Sequence, residues 1–400
     1  MHIALVHHHV GGKAGGGGGV RLMLELGLGL QARGHRVTVA CHDYLAEGEF
    51  SYATDQLEIR SVRQGVSELP SGRVELARHF WRDMPKVARL VPTDAHVVNA
   101  HEWLALRPGR IAGRRLSIPL VWTRNDEAPW ERVVIPEHTL IGGQGRVERT
   151  ARAAVSWPDL LDARHAAAIV VLSELQVEMV RRSYRKGATV IGVGPPGHFF
   201  EPPDRSAARS RLGIPDDVFL VMGSGILVPH RRFEDLLQAV ALLRDDPSIR
   251  VLIVGSDHAE PEYADRLSAM VEELGLSDRV EMSRRPVSDA EMHDAYAAAD
   301  VFTILSQRYA WGLAPLEAIA SGTPVILTPG AGVYDVLAGR PGVQVVPAED
   351  PRAIAEAIRG ARSDGAQEGL EETRAWLRNE FAFSRYVDRM EEIYSQVAGL

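Results

Sequence analysis

Short apolar runs rich in β-branched residues alternate along the whole chain with longer stretches whose apolar positions recur every three to four residues. The runs at 3–7, 36–40, 96–101, 120–123 and 168–172 predict buried strands, and the stretches between them predict helices. That alternation predicts parallel sheets joined by crossover helices. Residues 194–203, Gly-Pro-Pro-Gly-His-Phe-Phe-Glu-Pro-Pro, stop any regular element and mark a linker. A second series follows at 219–222, 251–254, 280–282, 301–305, 325–327 and 343–346. Between the first two of these, Phe233, Leu236, Leu237, Val240 and Leu243 trace the apolar face of a helix over 232–244. The expected architecture is α/β: two Rossmann-like, doubly wound domains at 1–200 and 204–379, facing each other across a cleft. Residues 374–397 predict one or two amphipathic helices interrupted near 381–384, and the last segment, about 380–400, is expected to pack back on the first domain.

Four hundred residues exceed what one hydrophobic core serves, in agreement with two domains. With 45% hydrophobic and 24% charged residues the composition is that of a soluble globular protein. A net charge of -8 argues against a nucleic-acid partner, which needs a concentrated cationic surface. One cysteine, Cys41, excludes an internal disulfide and a Cys-rich metal site, and fits the cytoplasm. No apolar run reaches the roughly 18 residues that span a bilayer, which leaves peripheral contact as the expected limit of any membrane association.

In doubly wound sheets, ligands bind beyond the carboxyl ends of the strands. The first strand is expected to end at His7, His8 and His9. A glycine-rich loop follows, including Gly11, Gly12 and Gly15, and a helix from about 20 to 33. Such a loop lets backbone approach an anionic ligand, and the helix N-terminus favours negative charge. Lys13 precedes the glycines, so the loop is no P-loop. With no carboxylate cluster beside the histidines, no metal is expected there. His101 ends the strand near 95–100, where an imidazole suits a sugar hydroxyl. Arg124 and Asn125 end the next strand. In the second half, Gly225 with Arg231 and Arg232 suits a diphosphate. Ser306 to Pro324 puts Gly312 before a helix with Glu317 expected at its head, a carboxylate able to accept from paired sugar hydroxyls.

Taken in order, these parts resemble the GT-B glycosyltransferases, most closely the retaining family 4 enzymes. The resemblance covers nearly the whole chain. It rests on the opening strand and glycine loop, Leu30 to Val39, His101, Val171-Leu-Ser-Glu174, the linker, Gly225 to Leu237, and above all Trp311 to Pro324. It implies that Glu317 holds the donor ribose and that Trp311, Gly312 and Leu313 lie by the donor. It further implies that Arg231, with Arg232 beside it, grips the diphosphate, that His101 lies near the transferred sugar, and that Gly11, Gly12 and Gly15 line the donor phosphates. A UDP or GDP sugar as co-substrate, no other cofactor and no metal are implied. Retention at the anomeric carbon is implied too, the acceptor hydroxyl entering on the face that the diphosphate leaves.

Two positions depart from the family pattern. Tyr309 stands where a second glutamate usually contacts the donor sugar, and Ile226 where an arginine commonly follows the glycine. These departures point to an unusual donor, an altered phosphate grip or a sugar-nucleotide binder without turnover. Trp103, Arg124, Asn125 and Trp130 are the expected acceptor contacts, with Trp81 and Trp157 as further stacking surfaces. A nicotinamide dehydrogenase is the less suitable alternative, because the first loop lacks the dinucleotide spacing.

Overall fold

The computed structural model describes residues 1–11, 17–45, 51–65, 78–125, 157–307, 311–362 and 369–400. They divide into two units, Met1–Gly192 with Ser384–Leu400, and Val193–Phe383.

The first unit holds seven strands: β1 (His2–Val10), β2 (Arg36–Tyr44), β3 (Glu58–Gln64), β4 (Val97–His101), β5 (Leu120–Arg124), β6 (Ala166–Val171) and β7 (Thr189–Val190). Their order is β3-β2-β1-β4-β5-β6-β7 and every pairing is parallel. The central strands are buried on both faces, as a sheet covered by helices on both sides requires. Helices α1 (Gly17–Ala32), α2 (Glu102–Leu116) and α3 (Glu174–Tyr184) supply crossovers. Ser173 caps α3 by accepting from the Gln176 N–H. The chain leaves β1 for β2 on one side and later returns to pair β4 on the other, so the switch point lies between β1 and β4.

The second unit holds β8 (Phe219–Ser224), β9 (Ile249–Val254), β10 (Val280–Met282), β11 (Val301–Ile304), β12 (Val325–Leu327) and β13 (Val343–Val345). The order is β10-β9-β8-β11-β12-β13, again parallel, with its switch point between β8 and β11. Its helices are α4 (Arg205–Leu212), α5 (Phe233–Ala241), α6 (Pro261–Glu273), α7 (Asp289–Ala298), α8 (Leu313–Ala320), α9 (Pro351–Gly360) and α10 (Leu370–Glu380). The apolar face of α5 buries Phe233, Leu236, Leu237 and Val240 against the sheet. Ser288 and Glu291 form a reciprocal capping box that starts α7.

After α10 the chain re-enters the first unit as α11 (Phe383–Ala398). Gly29 of α1 admits it: a Cβ there would meet Val387 Cγ2 at 2.7 Å. His35 Nε2 lies 2.8 Å from Glu391 Oε1, and Arg33 bonds Asp388, so the docking is apolar at its centre and ionic at its rim.

Candidate functional site

At the switch point of the first unit, β1 runs past the expected end and carries His7, His8 and His9 inside the strand. His101 closes β4 and is fully buried, with a hydrogen-bond partner on neither ring nitrogen. Burial first, and then the neighbouring His7, push its pKa down to about 3, while Glu102 acts weakly the other way. Burial thus favours the neutral imidazole, whose one donor and one acceptor are unpaired.

The sequence shows no carboxylate cluster beside the histidines, and the structure brings a single carboxylate to them: Glu102, at the start of α2, accepts from His7 Nε2 at 2.9 Å and lies 3.7 Å from His8 Nδ1. The pairing spans 95 positions, which is why spacing did not reveal it. Glu102 has φ 68, uncommon for a residue with a side chain. Its carbonyl accepts from Trp122 Nε1 at 3.2 Å. Gly19 in α1 makes room for its carboxylate: a Cβ at Gly19 would stand 1.9 Å from Glu102 Oε1. Burial pushes the Glu102 carboxyl up, but His7, through its charge and its hydrogen bond, together with His9 and His101, brings it below the ordinary range.

Gly11 has φ 83, and a Cβ there would meet Leu45 O at 2.1 Å, so a close approach within the unit already accounts for this glycine. Arg124 ends β5 fully buried, with its Cζ 5.8 Å from the Trp122 ring centroid and 5.7 Å from that of Tyr184. Asn125 follows, its side-chain amide without a hydrogen-bond partner. Trp103 Nε1 donates to Asp159, which ties that indole to the unit's own helix 157–163. Gly12, Gly15, Trp130 and Tyr309 lie outside the described residues.

In the second unit, Gly225 follows β8 with φ 133, and the Arg231 guanidinium packs over it: a Cβ would lie 3.0 Å from Arg231 Cζ. A small recess there is lined by Ser224, Arg231, Phe233, Thr303 and Ser306. The Gln307 N–H donates to His230 O at 3.0 Å, binding the loop after β11 to the turn that carries Arg231. Arg232 is turned elsewhere. Its side chain donates to both Asp235 oxygens at 2.7 and 2.9 Å and lies 3.1 Å from Glu234 Oε1. Ile226 is 38% exposed.

Trp311 is buried and donates from Nε1 to Val193 O at 2.7 Å. Gly312, with φ 99, turns the chain into α8, which starts at Leu313 and has no side-chain cap. Of the first three residues of α8, Leu313 and Ala314 carry backbone N–H groups suited to an acceptor, and Pro315 carries none. Glu317 was expected at the helix head. Because Gly312 starts the helix at once, Glu317 falls in the second turn instead, and it is fixed there by the Tyr296 hydroxyl, which donates to Oε2 at 3.0 Å. Tyr296 is fully buried on α7 and carried no sequence signal as a site residue. Glu102, Gly19 and Tyr296 are the residues that sequence reasoning missed.

Known proteins place these units in company. Residues 204–379 match the family described as glycosyl transferases group 1, and residues 16–197 match glycosyltransferase family 4. A D-inositol 3-phosphate glycosyltransferase of Nocardioides is 28% identical over 366 residues, which cover 84% of this chain and 76% of that one. D-inositol 3-phosphate glycosyltransferase 1 of Catenulispora acidiphila is 30% identical over 319 residues, covering 76% of this chain and 72% of that one. Among solved structures, Anabaena HepE in complex with UDP and glucose superposes with a TM-score of 0.76 at 20% identity, covering 99% of this chain and 100% of HepE.

Proposed function

Because the chain belongs to the group 1 glycosyl transferases, we propose that it moves a sugar from a nucleotide-diphosphate donor to an acceptor hydroxyl with retention at the anomeric carbon. The observation that carries the reading is the second unit's constellation: Arg231 over Gly225 at the end of β8, the uncapped start of α8, and Glu317 fixed by Tyr296. A guanidinium and a helix N-terminus suit diphosphate oxygens, and an oriented carboxylate suits the ribose hydroxyl pair. In the first unit, the neutral His101 imidazole suits a sugar hydroxyl.

Charge that builds on the departing diphosphate would be met by Arg231 and the α8 N–H groups, so transfer should persist in EDTA. A donor phosphate oxygen would take the acceptor's proton. Arg232, engaged with Asp235 and Glu234, would support the loop instead of gripping the diphosphate. We assign the protein to the cytoplasm, where nucleotide sugars are made. Among the described residues no helix is long and apolar enough to cross a membrane.

The test is a panel of nucleotide sugars beginning with UDP-glucose, scored by nucleotide release with and without acceptor. D-inositol 3-phosphate, the substrate named for the relatives, heads the acceptor panel. Arg231→Ala should fold normally and lose about 100-fold in kcat, as loss of one oxyanion donor does elsewhere. Unchanged turnover in that variant would refute the assignment of Arg231.

A further inference from the structure

Three consecutive residues of a strand normally send side chains to alternating faces. At the end of β1, His7, His8 and His9 nevertheless stack. Their ring centroids are 4.3 Å apart for His7 and His8 and 4.1 Å for His8 and His9, and one nitrogen from each ring lies within 4.8 Å of the other two. Neither nitrogen of His8, nor Nδ1 of His9, has a hydrogen-bond partner, although His8 is more than nine-tenths buried. Buried polar atoms are nearly always paired, and an orphan costs free energy. The Glu102 carboxylate, 2.9 Å from His7 Nε2 and 3.7 Å from His8 Nδ1, adds a negative charge to the same spot.

We propose that His7, His8 and His9 bind one imidazole-preferring divalent transition-metal ion of the Zn2+ class, with Glu102 offsetting its charge. Neutral imidazole is the ligating form. Zn2+ takes nitrogen ligands at about 2.0–2.1 Å, which puts tetrahedral ligand atoms about 3.4 Å apart. The ring nitrogens, within 4.8 Å of one another, therefore need to close by up to about 1.4 Å to ligate one ion. Mg2+ and Ca2+, which take oxygen ligands, do not suit this set.

A second group, His42, His79 and Asp83, has similar proximity, and two of its members are engaged, as His7 is: His42 Nδ1 lies 3.0 Å from Asp43 Oδ1, and Lys86 bonds Asp83 at 2.6 Å. The proposed site is built from first-unit residues alone. It carries no step of sugar transfer, so it stands or falls independently of the donor chemistry.

The experiment is calorimetric titration of the untagged protein with Zn2+, with Mg2+ as comparison, and Co2+ absorption as a probe of tetrahedral nitrogen ligation. One Zn2+ per chain, no Mg2+ binding, and at least a tenfold weaker Zn2+ affinity in His8→Ala would bear the site out, with His79→Ala unchanged. His9→Gln, at the less buried ring, gives the same readout if His8→Ala does not fold. The proposal is overturned if the wild type takes up no stoichiometric Zn2+, if His9→Gln or a folded His8→Ala binds as tightly as the wild type, or if only His79→Ala loses binding.

Discussion

Glu102 holds a backbone conformation that costs a residue with a side chain about 1–3 kcal/mol, and it sits one position after the buried His101. Such strain persists only where surroundings impose it. Here the carbonyl accepts from Trp122, the carboxylate accepts from His7, and Gly19 leaves the space that carboxylate fills. A Gly19→Ala methyl would stand where Oε1 now lies and should destabilise the first unit by about 1–3 kcal/mol, as overpacking does. Glu102→Ala should remove most of that penalty, so a double-mutant cycle read by thermal melting should show strong coupling. Additive losses would show that the two residues do not share this space. Tyr296→Phe should leave the fold intact and raise the donor KM several-fold, because the Glu317 carboxylate loses its fixed partner. A KM equal to wild type would separate Tyr296 from donor binding. At this scale His101, which closes β4, and Arg231 and Glu317, which follow Gly225 and Gly312, are the candidates that sequence motifs singled out. Their supports were not, because His7 lies 95 positions from Glu102 and Tyr296 lies 21 from Glu317.

Elements follow the same division. Strands with continuous apolar runs, such as β9 and β12, were visible from pattern alone. β3, Glu-Ile-Arg-Ser-Val-Arg-Gln, was not, because it is an edge strand exposed on one side and reads as polar alternation. β7 is only two residues long, too short for any period. β1 and β2 each run beyond the expected end because polar residues such as His7 and Asp43 are buried at the strand tips, against the usual polarity. Helix α4 reads as a solvated polar helix, yet its Arg209 is 2% exposed. That guanidinium donates to the carbonyls of Ala298, Pro215, Asp216 and Val218 and to Asp300 Oδ2, so one side chain binds α4, α7 and the approaches to β8 and β11. Arg209→Ala strands these acceptors and should cost about 3 kcal/mol. At about 2–4 °C per kcal/mol for a unit of this size, melting should fall by about 6–12 °C. Lysine should not rescue it, since a single ammonium lacks the planar fork that reaches several acceptors at once. A fall below 2 °C would show that the contacts contribute little.

Across the whole molecule, alternation of strand and helix was enough to predict two doubly wound sheets, whereas the uneven placement of buried histidines emerged only from the structure. In the first unit burial lowers the pKa of His2, His8, His9, His79 and His101, and in the second it lowers that of His293. These groups bind protons more weakly folded than unfolded. The stability they allow is therefore complete above the unfolded value near 6.5 and is lost as pH falls toward the folded values. For His101, at about 3, and His9, at about 4, the loss by pH 4 is on the order of 3 kcal/mol each, at about 1.4 kcal/mol per unit. Glu102, also depressed, adds to the loss in the same direction once the pH passes below its unfolded value. Against a typical total of about 5–15 kcal/mol, that is enough to unfold one unit ahead of the other. Incubation at pH 4 to 5 followed by limited proteolysis should then cleave within the first unit while the second stays resistant, and both should resist at pH 7.5. His101→Asn, which cannot titrate, should shift the onset of cleavage to lower pH. Simultaneous cleavage of both units, or an onset that His101→Asn leaves unmoved, would show that these histidines do not set the acid limit.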